Sequence, residues 1–138
     1  MSNRLFFQIL LGFLLFFASC NRVERKKDVE TPIPLNKEVT VYYFHYSVHC
    51  ATCDAVESTA RNVCREMDTT RVAFVSLNLE ENGIEDMARK IGVYGQSLVI
   101  VTKEKKYDLT GDGFLYALHN PEKLRSLMKG IIEPILLK

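Results

Sequence analysis

No flavin or nicotinamide fingerprint occurs in the 138 residues, so the chain brings no such cofactor to a reaction. Charge of one sign is lacking too. The 18 Lys and Arg nearly cancel the 17 Asp and Glu, leaving +1, and the totals carry no basic surface of the kind nucleic acid requires. There is neither a second C-x-x-C nor an H-x-H pair. A structural zinc site needs four ligands, and His45, His49 and Cys64 are poorly spaced to supply the rest, so no metal is expected. Tryptophan is absent altogether. The apolar stretch from Leu5 to Ala18 falls short of the roughly 20 residues that span a bilayer.

That stretch fits a targeting segment instead. Arg4 supplies a positive start, and only Gln8 and Gly12 interrupt the apolar run. It ends in Phe17-Ala18-Ser19-Cys20, which resembles the lipobox of bacterial lipoproteins, with Phe17 where leucine is usual. The resemblance implies cleavage after residue 19 and lipidation of Cys20. An uncleaved anchor or a plain secretory signal is the alternative. Either way the domain is expected outside the cytoplasm, facing the periplasm or anchored to an outer membrane, where dithiols meet an oxidising setting.

Residues 20–38 are charged, contain Pro32 and Pro34, and show no apolar period, which reads as a tether. The run from Arg22 to Lys27 mixes both signs and suits a solvated linker better than a patch for anionic head groups. Residues 39–138 form the expected single domain. Val39 to Tyr46 is dense in β-branched and aromatic residues and predicts a strand buried on both faces. A helix through about Met67 follows, with Val56, Ala60, Val63, Cys64 and Met67 on one face. Arg71 to Leu79 predicts a second strand, Ile84 to Ile91 a short helix, Leu98 to Val101 a third strand and Tyr107 to Thr110 a fourth.

The last helix has a start signal in Asn120 and Pro121, a stripe of Leu124, Leu127, Met128 and Ile131, and Pro134 to kink or end it. Asp108 to Gly113 resembles the opening of a calcium loop, but His119 stands where a bidentate Glu is required, and a strand-to-helix turn accounts better for the two glycines. The order β-α-β-α-β-β-α predicts an α/β fold, a mixed β-sheet flanked by helices.

The chemistry concentrates at Cys50-Ala51-Thr52-Cys53. This pair follows a buried strand and opens a helix, whose unpaired N–H groups and positive dipole end stabilise a thiolate. Cys50 is the expected nucleophile, and Cys53, one turn inward, resolves a mixed disulfide. Cys64 is left over and is expected to be a buried thiol. His49 precedes Cys50 and could favour the thiolate when protonated or act as a base when neutral, though a solvent-facing loop residue is the bland alternative. His45 lies within the strand and is expected to pack in the core.

The segment Tyr43 to Cys53, then Val75 to Asn82 and Met87 to Gly95, resembles the thioredoxin superfamily over about residues 39–133. The resemblance implies a thioredoxin-like fold, with a substrate-facing loop at Gln96 and Ser97. Ser97 stands where thioredoxins have a cis-proline, so a trans peptide is expected there. Phe44 replaces a buried acid, and His49 replaces a tryptophan. More narrowly, Tyr42-Tyr43-Phe44-His45, Cys50 to Cys53, Gly95 to Val99 and Asn120 to Lys123 resemble the nitrophenyl compound nitroreductase subunit ArsF family.

Together these imply a membrane-anchored exchanger whose partner is a protein thiol or disulfide, or an accessory subunit that captures a soft metal or arsenical. No cofactor and no nucleic acid are expected. A membrane or enzyme subunit is a further expected partner, and any cofactor for nitro reduction would belong to that subunit. A structural disulfide on a scaffold for protein contact remains the plainest option.

Overall fold

The computed structural model describes residues 36–138. The signal-peptide segment expected over residues 1–19, with its likeness to a lipobox, Cys20 and most of the stretch read as a tether lie outside the described residues. Lys37 and Glu38, at the end of that stretch, already join the domain: Lys37 Nζ donates to the Thr69 carbonyl at 2.7 Å, and Arg71 Nε donates to Glu38 at 2.6 Å. Among the described residues no helix is long and apolar enough to cross a membrane.

The elements run β1 (Val39–His45), α1 (Ala51–Glu66), β2 (Val72–Asn78), α2 (Ile84–Lys90), β3 (Ser97–Thr102), β4 (Lys106–Asp108), α3 (Thr110–Tyr116) and α4 (Pro121–Leu136). Strand order in the four-stranded sheet is β2-β1-β3-β4. β2 pairs parallel to β1, from Val39 opposite Val72 to His45 opposite Asn78. A parallel pair needs a crossover, and α1 supplies it. β3 runs antiparallel to β1, with Leu98 opposite Tyr43 and Ser97 opposite Phe44, and β4 returns antiparallel to β3.

β1 is the centre of this arrangement. Every residue from Val39 to Phe44 is buried, as its unbroken β-branched and aromatic run predicts. Its side chains alternate between two cores. Val39, Val41 and Tyr43 meet Val56, Ala60 and Val63 of α1 and Leu124, Met128 and Ile132 of α4. Tyr42 and Phe44 face the other way, onto Leu77, Ile84, Met87 and Val99. Three helices thus cover one face and α2 the other.

The expected element order holds with one addition. Residues 108–113 do not merely turn from strand to helix; they open a further helix, α3. Asp108 accepts the Thr110 N–H at 2.9 Å, which engages the carboxylate once suggestive of calcium. The Thr110 hydroxyl accepts the Leu98 N–H at 3.2 Å. Gly113 is buried, and a Cβ there would lie 3.4 Å from Leu98 Cδ2 and 3.5 Å from Val56 Cγ1. A small residue here lets α3 seat against β3 and α1, with room for a methyl group but not for a larger side chain.

At the chain's end, Asn120 caps α4 by accepting the Lys123 N–H at 3.2 Å, with Pro121 in the first turn. Pro134 sits inside α4, which continues to Leu136. Ile132 completes the fully buried stripe with Leu124 and Met128, while Leu127 and Ile131 are only half-buried.

Gly113→Ala should be neutral or stabilise the fold by up to about 1 kcal/mol, because the added methyl meets only ordinary van der Waals distances. Gly113→Leu should destabilise it by about 1–3 kcal/mol through overpacking. Urea denaturation of both variants measures this, and equal effects would refute the packing explanation.

Candidate functional site

β1 ends at His45, and the chain crosses a short loop to Cys50, the N-cap of α1. Two contacts with the end of β2 fix this loop. The Ser47 N–H donates to Glu80 at 2.8 Å, and Asn78 Nδ2 donates to the Ser47 hydroxyl at 2.9 Å. Ser47 in turn holds the Glu80 carboxyl below the usual carboxylate range. The Leu79 N–H donates to the His45 carbonyl at 2.8 Å and extends the parallel ladder by one step. Sequence reasoning did not single out Asn78 or Glu80. Their role follows from β1 and β2 ending side by side.

Cys50 and Cys53 form a disulfide, with Cα atoms 5.0 Å apart. The two sulfurs are not equivalent. Cys50 is exposed, whereas Cys53 is 5% exposed on the buried side of α1. Cys50 has the extended backbone of an N-cap residue, and its Sγ accepts the Cys53 N–H at 3.3 Å. One orphan donor of the helix start is therefore spent on the outer sulfur. When the bond is reduced, negative charge on Cys50 falls on this N–H and on the positive end of the helix.

Gln96 of the expected substrate-facing loop is tied to the dithiol through β1. Its Nε2 donates to the Tyr43 hydroxyl at 2.8 Å, and that hydroxyl donates to the Cys53 carbonyl at 3.2 Å. The antiparallel register makes this possible, since Ser97 opposite Phe44 puts the start of β3 beside the end of β1. Burial pushes the Tyr43 phenol above its ordinary value, so it stays a neutral donor at any physiological pH. Ser97 turns its hydroxyl to the Gly95 carbonyl at 3.0 Å. No peptide bond among the described residues is cis, so the link before Ser97 is trans. Phe44 is fully buried on the α2 face, stacked with Tyr42 at 5.8 Å. The polar group that reaches the dithiol from β1 is therefore the Tyr43 hydroxyl.

His49 lies at the mouth of the site, with Nδ1 3.0 Å from Asp54 Oδ1 and Nε2 2.9 Å from His45 Nδ1. Among the described residues no hydrogen bond joins its ring to a cysteine sulfur. His45 is half-buried and meets His49 edge to face, so it is more than the core-packing residue its strand position suggests. Asp54, unmarked in the sequence reading, comes into reach because the loop and the first turn of α1 fold back on each other.

Cys64 is 4% exposed, and burial pushes its thiol up to about 12. It lies roughly 16 Å along α1 from Cys53 at about 1.5 Å per residue, too far to join the dithiol or the two histidines. Among the described residues no group of three or more His, Cys, Asp or Glu is placed to hold a metal ion.

A mixed sheet ordered β2-β1-β3-β4 with helices on both faces is a thioredoxin-like fold, and a disulfide opens the helix after its central strand. No family model and no curated protein matches the chain. Similar solved structures include a thioredoxin from Wuchereria bancrofti, at 19% identity and TM-score 0.41, covering 70% of this chain and 83% of that one. Another is described as a malarial protein, at 17% identity and TM-score 0.41, covering 59% of this chain and 94% of the other.

Tyr43→Phe removes the hydroxyl that links Gln96 to Cys53. The oxidised protein should lose about 1–2 kcal/mol in urea denaturation, as one bridged donor and acceptor are left unmatched. An unchanged midpoint would show that the bridge contributes nothing.

Proposed function

We propose that the chain is a membrane-tethered, extracytoplasmic thiol–disulfide oxidoreductase working through Cys50 and Cys53. The observation that carries this reading is the asymmetry of the pair. The exposed sulfur is the helix N-cap and the buried one lies a turn behind it, which suits one cysteine for attack and the other for resolution.

In the reducing direction, the Cys50 thiolate attacks a partner disulfide. An S–S bond forms to one partner sulfur, and the other leaves as thiolate. Cys53, deprotonated, then attacks Cys50 Sγ, closing the Cys50–Cys53 bond and expelling the second partner thiolate. Two electrons pass to the partner, whose thiolates take up protons. The oxidising direction is the reverse. No bound cofactor enters either direction, because the electrons reside on sulfur.

The lipobox at Phe17 to Cys20 supports a lipid anchor on Cys20, with the charged residues that follow as tether. The likeness to the ArsF family supports a role as electron-passing subunit to a membrane or enzyme partner. The alternative, capture of a trivalent arsenical or other soft species by the reduced pair, is supported by the 5.0 Å Cα separation, which lets two thiolates reach one ion.

Glutathione distinguishes the two sulfurs. With oxidised glutathione, the full chain carrying Cys53→Ser should accumulate a mixed disulfide on Cys50. Cys50→Ser should accumulate about tenfold less on Cys53, whose buried sulfur cannot readily reach the glutathione disulfide. Equal labelling, or none on Cys50, with the labelled cysteine located by peptide mass, would overturn the assignment.

A further inference from the structure

Thiol exchange accounts for the two sulfurs but leaves the groups around His49 without a task. Their partners fix the tautomers. A carboxylate only accepts, so His49 carries a proton on Nδ1, donated to Asp54 at 3.0 Å. The Tyr46 carbonyl, 2.9 Å from His45 Nδ1, also only accepts, so His45 donates from Nδ1. That proton is shared with His49 Nε2, 2.9 Å away. His45 is held from behind by stacking on Tyr43, with centroids 5.6 Å apart.

We infer that Asp54 and His45 are positioning residues that hold the His49 imidazole at the turn carrying Cys50, where a protonated ring stabilises the Cys50 thiolate in the reduced protein. The inference rests on the proposed exchange function and deepens it. His49 directly precedes Cys50, and the Asp54 N–H donates to the Cys50 carbonyl at 3.0 Å, so both partners sit on the turn that carries the sulfur.

The other titratable groups around the array are Tyr43 on β1, Tyr46 on the loop, Glu57 on α1 and Glu80, which holds Ser47. Acids thus outnumber bases here, and Asp54 acting alone would oppose a thiolate. A bare carboxylate and a carboxylate acting through His49 therefore have effects of opposite sign.

The test is the rate of Cys50 alkylation by iodoacetamide in the reduced full chain from pH 5 to 9, with the modified residue identified by peptide mass. Asp54→Asn should slow the reaction near pH 7 by about threefold. Loss of the held imidazole lowers the thiolate fraction, and the more basic thiolate regains only part of that loss in nucleophilicity. Asp54→Glu should restore the wild-type profile. In a His49→Gln background, Asp54→Asn should speed alkylation instead, since only the bare carboxylate remains to be removed. Faster or unchanged alkylation in the Asp54→Asn single variant would overturn the inference. Alkylation needs no disulfide partner, so a failure of glutathione exchange would remove the proposed function without obscuring this result.

Discussion

A sulfur atom takes the capping place that a serine or aspartate oxygen fills at most helix starts, and the rest of the site depends on it. The Cys53 N–H pointing at Cys50 Sγ binds the outer sulfur to the helix terminus and sets the inner one a turn behind. The cap is a weak hydrogen bond while the sulfur is neutral. It becomes charge-assisted, and stronger, once the sulfur is a thiolate. The interaction that starts the helix is thus also one that favours the reactive form of the cysteine.

The sheet delivers the helix start to this position. β1 is buried on both faces and paired on both edges, so its end is among the most constrained points in the fold. The end of β2 holds Ser47 through Asn78 and Glu80, and the start of β3 brings Gln96 to the Tyr43 hydroxyl. The loop carrying the dithiol is therefore braced from both neighbouring strands. Side chains in the same region, Tyr46, Val48 and Tyr94, remain exposed around it.

Much of this was legible in the sequence because it is local. The β-branched run of β1, the period of α1, the cap at Asn120 and the C-x-x-C spacing each follow from a few adjacent residues. α3 was not legible: two glycines in four residues signal a turn, whereas the close approach of α3 to Val56 and Leu98 at Gly113 is a tertiary feature. Pro134 likewise marks the last turn of α4 without stopping it at once. The histidine pair was half visible. His49 stood out beside Cys50, but Asp54 and His45 acquire meaning only when strand, loop and helix converge. The bridge from Gln96 through Tyr43 is a product of register, which a single sequence does not print.

In the proposed exchange, Cys50 and Cys53 form a working couple rather than a fixed bridge. The most direct measurement is the reduction potential of the pair in the full chain, by equilibration with glutathione. A value between about −120 and −270 mV, the range of thioredoxin-like exchangers, is expected. A value below about −300 mV would mark a structural disulfide and contradict the account.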